Sequence, residues 1–342
     1  MRKEKQPFWR RWQPWRAWKT AAQDPAAQVR HMLRDLGEGI VPPQERLAQL
    51  LAAPPEERSR WWQEAVGAET AGAETAGASA PDAGPAAPAS VAWRLARILQ
   101  LEPHWQAVMA APQSGPKEQV IEAVGPLLLP EALPLLQAAV LDRSPSVGLA
   151  ATAYLARSAD AHVTAFFLDL LQRPDGGPWI DRAARGLAAR RSIDGPAIWR
   201  RLLAMTGDGQ ALLRLRAWEV LASFGPPAEG EAVEHLEPCL RAALGDPDAA
   251  VRARAAEATG LLARGGLALE LVAAARDGDA RVRAEAARAL GRLAALDLMG
   301  SEGADAGKTR EAVRQALTDC LADEDYRVSG CARQALHYIA EA

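Results

Sequence analysis

The stretch Asp246-Pro247-Asp248-Ala249-Ala250-Val251-Arg252 returns 31 residues later as Asp277-Gly278-Asp279-Ala280-Arg281-Val282-Arg283. In each copy a tight Asp/Gly/Pro turn separates a preceding helix from a second helix that starts near the valine. From each valine an apolar face continues with alanine four positions on and apolar or small residues at seven and eight. These faces are Val251/Ala255/Ala258/Thr259 and Val282/Ala286/Ala289/Leu290. The same template fits Val147/Ala151/Tyr154/Leu155, Ile180/Ala184/Leu187/Ala188, Leu213/Ala217/Val220/Leu221 and Val328/Ala332/Ala335/Leu336. The six starts are separated by 33, 33, 38, 31 and 46 residues. A period in the low thirties marks stacked helical hairpins, since each hairpin buries its apolar face only against its neighbours. The expectation is an all-α solenoid of about six hairpins.

Each clear unit pairs a preceding helix (232–244, 267–275) with a tight turn and a second helix starting near the valine. These segments, with the tract from Ala132 through Asp142 to Val147 and Ala151, resemble HEAT repeats of the short bacterial kind found in phycobilisome-lyase-like proteins. The resemblance covers about residues 130–342. It implies that the turn aspartate and the second-helix arginine pair between neighbouring units, so that Asp246, Arg252, Asp277 and Arg283 are structural. The arginine is replaced by Gly148, Asp181 and Ser329 in three units, and the third unit has Arg214 without the Asp-rich turn. Some HEAT-like relatives attach bilins to proteins and others excise alkylated bases from DNA.

Composition suits closely packed helices. Half of the 342 residues are apolar, aromatics are 5%, and the core must come from Ala and Leu. The net charge of −3 implies neither a nucleic-acid binder nor an acidic tail. Three cysteines, Cys239, Cys320 and Cys331, lack CxxC spacing and read as small buried hydrophobes in a reducing compartment. The most apolar run, Leu127–Leu141, is broken by Pro130, Glu131 and Pro134, too short to span a bilayer. No secretory signal opens the chain, and a cytoplasmic location is expected.

Composition also divides the chain. Residues 1–23 are a basic, Trp-rich arm. Residues 24–66 read as a small helical module, opened by Asp24-Pro25 and punctuated by Gly37, Pro43 and Pro55. Residues 67–90 begin with the duplication GAETAGAETAGA and continue as a Pro/Ala tract. With almost no large apolar side chains, they read as a linker. Residues 91–129 read as degenerate capping helices, and 130–342 as the repeat array.

In a solenoid, equivalent positions align as columns. With positions 0, 4, 7 and 8 of each second helix turned inward, positions 2, 6 and 9 are expected to line an exposed groove. Its candidate partner contacts are Arg182, Leu215, Glu219, Glu257, Arg288 and Gln334. Position 9 holds small residues in five units (Ala156, Ala189, Ala222, Gly260, Gly291) and His337 in the sixth. Few and mixed charges do not form the basic track that phosphates need, nor the convergent acids, bases and nucleophiles of an active site. A peptide or protein partner fits such a groove, and packing against neighbouring helices is the plain alternative. His235 and Cys239, four apart on a helix, have zinc-compatible spacing without two further ligands, so no metal and no cofactor are expected.

The arm carries the second signal. Trp9, Trp12, Trp15 and Trp18 recur every three residues among Arg10, Arg11, Arg16 and Lys19. Through residue 19 there are seven bases and one acid, a net of +6, which leaves −9 for the remainder. Indole and guanidinium together suit an anionic bilayer surface at the inner membrane face. They also suit docking on protein, or stacking on single-stranded bases. The expected function is a non-catalytic scaffold that binds a protein along the groove. The alternatives are a HEAT-like enzyme, attaching bilins or excising bases, and nucleic-acid binding through the arm.

Overall fold

The computed structural model describes residues 24–39, 42, 44–75, 86–174, 177, 179–225, 235–298 and 304–341. Every regular element among them is helical, with eighteen α-helices and a few 3₁₀ turns. The chain forms two compact units, residues 1–158 and 159–342.

The described part of the first unit holds α1 (Pro25–Gly37), α2 (Gln44–Leu51), α3 (Pro55–Thr75), α4 (Ala86–Ile98), α5 (Leu101–Ala110), α6 (Ser114–Val124), α7 (Leu133–Val140) and α8 (Pro145–Arg157). Asp24 caps α1 by accepting from the Ala26 amide, with Pro25 at the first helical position as its sequence signals. Two expectations are corrected here. The Ala/Gly tract at 67–75 continues α3, and residues 86–90 begin α4; only 76–85 of the expected linker lie outside the described residues. Alanine's helix propensity carries the helix on beyond the last large apolar side chain.

Residues 24–66 are also not a module apart from 91–129. Their apolar residues share one core: Val29, Met32, Leu50 and Trp62 pack with Trp93, Leu95, Leu99 and Trp105. Three buried hydrogen bonds fasten the two segments. The Trp62 indole donates to the Ala92 carbonyl at 2.9 Å, Arg58 to the Leu99 carbonyl at 2.6 Å, and the Trp105 indole to Ser59 Oγ at 3.0 Å. Trp62 and Trp105 meet edge to face with centroids 5.1 Å apart.

The second unit comprises α9 (Ala161–Leu171), α10 (Trp179–Ala189), α11 (Arg191–Met205), α12 (Ala211–Phe224), α13 (Leu236–Leu244), α14 (Ala249–Leu261), α15 (Ala268–Ala274), α16 (Ala280–Ala295), α17 (Ala304–Cys320) and α18 (Tyr326–Glu341). They form five consecutive hairpins; with α7/α8 of the first unit, all six expected hairpins are present. The second helices α10, α12, α14, α16 and α18 form one layer, each packed on the next. Val251, Ala255, Ala258 and Thr259 are buried, as are their counterparts Val282, Ala286, Ala289 and Leu290. The template is one residue off in α10: Ala183 and Leu187 are fully buried, whereas Ile180, Ala184 and Ala188 are half-buried. Its inward face starts at Trp179, because an indole fills the place that an aliphatic residue holds elsewhere.

Candidate partner-binding face

The turn edge of the second unit fixes the spacing of everything on the face. Arg214 of α12 grips Asp246 of the next turn with two parallel hydrogen bonds, Nε to Oδ2 at 2.7 Å and Nη2 to Oδ1 at 2.8 Å. Arg252 of α14 does the same to Asp277, and Arg283 of α16 to Asp323. In each rung the third nitrogen, Nη1, donates to carbonyls of the arginine's own turn: Asp208 and Gly209, Asp246 and Pro247, Asp277 and Gly278. Each aspartate also accepts the backbone N–H two residues on, from Asp248, Asp279 or Asp325. A planar five-donor fork can join two turns in this way, which an ammonium cannot do.

Asp246, Asp277, Arg252 and Arg283 therefore join neighbouring units, in an order their own sequence copies do not reveal. The partner of Asp246 is Arg214, and that of Arg283 is Asp323. The arginine hydrogen bonds hold the carboxyls of Asp246, Asp277 and Asp323 below the usual carboxylate range, helped by the backbone N–H groups and opposed by burial. In the first unit a lysine makes an analogous link: Lys117 of α6 meets Asp142 at 2.5 Å.

The second-helix layer carries most of the expected groove, with corrections. Position 9 is on the surface only at Ala189 and His337; Ala156, Ala222, Gly260 and Gly291 are buried. A Cβ on Gly260 would stand 2.8 Å from Ala289 Cα, and one on Gly291 2.8 Å from Ala335 Cβ. The small residues at position 9 are where successive second helices touch. Arg182 is only 2% exposed, because the frame of α10 puts it at the inward-leaning position that Arg216 holds in α12. Arg216 is likewise buried and donates to the Leu171 and Arg173 carbonyls at the end of α9.

Leu215, Glu219, Glu257 and Arg288 are half-buried, and Gln334 is exposed. Glu219 and Glu257, on adjacent helices, converge on one guanidinium that the column reading passed over. Arg254 lies 3.0 Å from Glu219 and 2.5 Å from Glu257. Arg288 pairs with Glu285 on its own helix and donates to Cys331 Sγ at 3.4 Å. Gln334 donates to the Tyr338 hydroxyl at 3.2 Å. The signal for Arg254 and Glu285 was their position 3, which a strict 100° projection assigns to the flank rather than the face. Among the described residues, no three or more His, Cys, Asp or Glu side chains gather as a metal site. No described helix is long and apolar enough to cross a membrane. The arm residues Trp9 through Lys19 lie outside the described residues.

A family model described as HEAT repeats matches residues 237–337. No curated protein matches the sequence. Among solved structures, a Kap121p mutant (D353K/E396K/D438K) superposes with a TM-score of 0.57 at 14% identity, over 92% of this chain and 39% of its own. Kap121p itself gives 0.55 at 15% identity, over 95% and 43%. An archaeal HEAT-like repeats protein from Thermococcus onnurineus NA1 gives 0.44 at 12% identity, over 69% and 95%. The chain thus spans about two-fifths of the length of Kap121p, and the likeness is one of fold. The family match and the rungs at Asp246, Asp277 and Asp323 together mark residues 237–337 as HEAT repeats, set in a chain with a HEAT-like helical-repeat fold.

Proposed function

We propose that the chain is a non-catalytic adaptor that holds a peptide or protein segment along the second-helix face of its last four hairpins. One observation carries the reading: a row of half-exposed polar side chains, Glu219, Arg254, Glu257, Arg288 and Gln334, stands on helices whose spacing is locked by three rungs. Rigid presentation lowers the ordering cost of binding. The charges already pair with one another, so they serve recognition by exchange of partners more than long-range attraction.

A photo-crosslinking residue at Gln334 of the full chain, compared with one at exposed Arg200 on a first helix, tests this reading. Capture of the same partner at Gln334 and not at Arg200 supports it; equal capture at both, or capture at Arg200 alone, defeats it. The full chain is required because the helices before residue 91 share a core with those after it.

The arm's four indoles and +6 charge support peripheral contact with an anionic bilayer surface. Reversible attachment is the expectation for one such anchor. Co-sedimentation with anionic and neutral vesicles, comparing the full chain with one starting at Gln23, decides this. Sedimentation that needs both the arm and anionic lipid, and falls with salt, supports it. Equal sedimentation of both forms removes the arm from the account.

A further inference from the structure

Twelve arginines lie in the stretch from Arg241 to Arg327, and ten of them meet a carboxylate. Arg264 and Arg292 are the exceptions: neither has a hydrogen bond or ion pair among the described residues. Both are half-buried. Arg264 Nε and Arg292 Nη1 are closed off from solvent with no acceptor, while the other nitrogens of each fork stay open to it. A guanidinium that has lost part of its water without gaining a counter-charge is unfavourable. Arg292 stands in the last turn of α16, where the helix dipole offsets only part of that cost.

The packing brings the two to one corner of the face. Gly260 of α14 lies against Ala289 of α16, and Arg264 follows the first as Arg292 follows the second, about one helical turn on. The turns beyond also meet: a Cβ on Gly265 would overlap the Leu298 carbonyl oxygen, and the Leu298 N–H donates at 2.9 Å to the carbonyl of Leu293, the residue after Arg292. The acids of this corner are engaged elsewhere or set apart. Asp297 pairs with Arg310 at 3.0 Å, and Glu285 with Arg288. Glu237 borders Gly266, its oxygens 3.4 Å from where a Cβ would stand, and makes no ion pair with Arg264.

We propose that Arg264 and Arg292 are the docking point for a carboxylate side chain of the segment held along the second-helix face, which makes the partner an acidic peptide. The proposal rests on the adaptor reading for its occupant and adds the chemistry of that occupant. A carboxylate accepts from two nitrogens of a planar fork at once, and it supplies the counter-charge that both guanidinium groups lack. The rest of the face alternates in sign at Glu219, Arg254, Glu257 and Arg288, so it matches single acidic groups and not a continuous phosphate backbone.

Nuclear magnetic resonance of the full chain, labelled with nitrogen-15 at arginine, tests it. The probe is N-acetyl tetraglutamate, with tetraglutamine and inorganic phosphate as comparators. The Nε–H signals of Arg264 and Arg292, assigned through Arg264→Gln and Arg292→Gln, should shift saturably with tetraglutamate. That of Arg314, paired with Glu311 on α17, should not. Each substitution should weaken tetraglutamate binding by about tenfold or more. Arg292→Met keeps the aliphatic stem and removes an uncompensated charge, so its Tm should not fall. A drop in that Tm would make Arg292 a structural residue and overturn the site. Absence of shifts in the parent chain overturns it even if every variant fails to fold. Equal shifts with tetraglutamine, or shifts with phosphate alone, overturn the acidic-peptide occupant. Photo-crosslinking at Gln334 keeps the two readings apart: no capture by the parent chain defeats the adaptor, whereas undiminished capture by Arg292→Gln defeats only the docking point.

Discussion

Arg252 and Asp277 face each other as fork and carboxylate, Nε to Oδ2 at 2.8 Å and Nη2 to Oδ1 at 2.9 Å, with the third arginine nitrogen 2.9 Å from the Asp246 carbonyl. One side chain thus closes its own turn and clasps the next. Replacing Asp277 by alanine leaves a largely buried guanidinium without its counter-charge and the Asp279 amide without its acceptor. The expected cost is about 2–3 kcal/mol, toward the lower end for buried pairs because both groups keep some water contact. Arg252→Lys should recover little of it, since an ammonium cannot span two turns. Urea unfolding of both variants checks this, and equal midpoints for Asp277→Ala and the parent chain contradict it.

Acid should unlock the ladder. The Arg281 and Arg327 side chains, with backbone N–H groups, lower the carboxyls of Asp279 and Asp325 to about 2. Asp246, Asp277 and Asp323 are lowered as well, chiefly by their rung arginines. A carboxyl whose folded pKa is depressed stabilises the fold fully above its unfolded value, about 3.9. That contribution is lost as pH falls through the folded value. Tm should therefore hold from neutrality to about pH 5 and drop steeply between about pH 4 and pH 2. In Asp277→Asn the neutral-pH Tm should be lower and the acid slope shallower. Scanning calorimetry across this range reads both.

How much of this was legible in the sequence depends on what fixes each feature. The hairpins were, because a period in the low thirties and an inward alanine are local patterns. The register of α10 was not, since Trp179 does the work of an aliphatic residue and nothing local distinguishes it from Ile180 as the starting point. The rung partners were half legible: Asp246 and Arg252 are close in sequence but bond to Arg214 and Asp277, a choice made by stacking. Four of the six position-9 residues are covered rather than exposed, because a projection around one helix cannot tell water from a neighbouring helix. The linker was misread because Gly67–Thr75 lacks large side chains, while the Trp62 and Ala65 that anchor its helix lie just upstream.

Glycines on the second helices separate contact from mere exposure. Gly260→Ala and Gly291→Ala each place a Cβ 2.8 Å from the backbone or Cβ of the next helix, where no flexible side chain can yield. Forcing the helices apart should cost about 1–3 kcal/mol despite alanine's better propensity. Gly330→Ala meets nothing within 4 Å, so propensity alone acts and should stabilise by about 0.5–1 kcal/mol. Opposite shifts in Tm for Gly291→Ala and Gly330→Ala are the expected reading. Shifts of the same sign would place the second-helix contact elsewhere.

The first unit offers the sharpest test of the corrected boundary. Trp62 is fully buried, touches Trp105, and donates to the Ala92 carbonyl from the far side of the sequence tract once read as a linker. Truncating it to alanine should cost about 3–5 kcal/mol, the range for large aromatic cores. If residues 24–66 were an independent module, Trp62→Ala would leave the α4–α6 segment untouched. With one shared core, the loss should reach it: the near-ultraviolet circular dichroism of the coupled Trp62–Trp105–Trp93 cluster should collapse, and amides of α4 and α5 should lose exchange protection together with those of α3. A chain starting at Val91 should show the same loss, because it removes Arg58, Ser59 and Trp62 at once. Retention of full α4–α5 protection in that shortened chain would return residues 24–66 to the status of a separate domain.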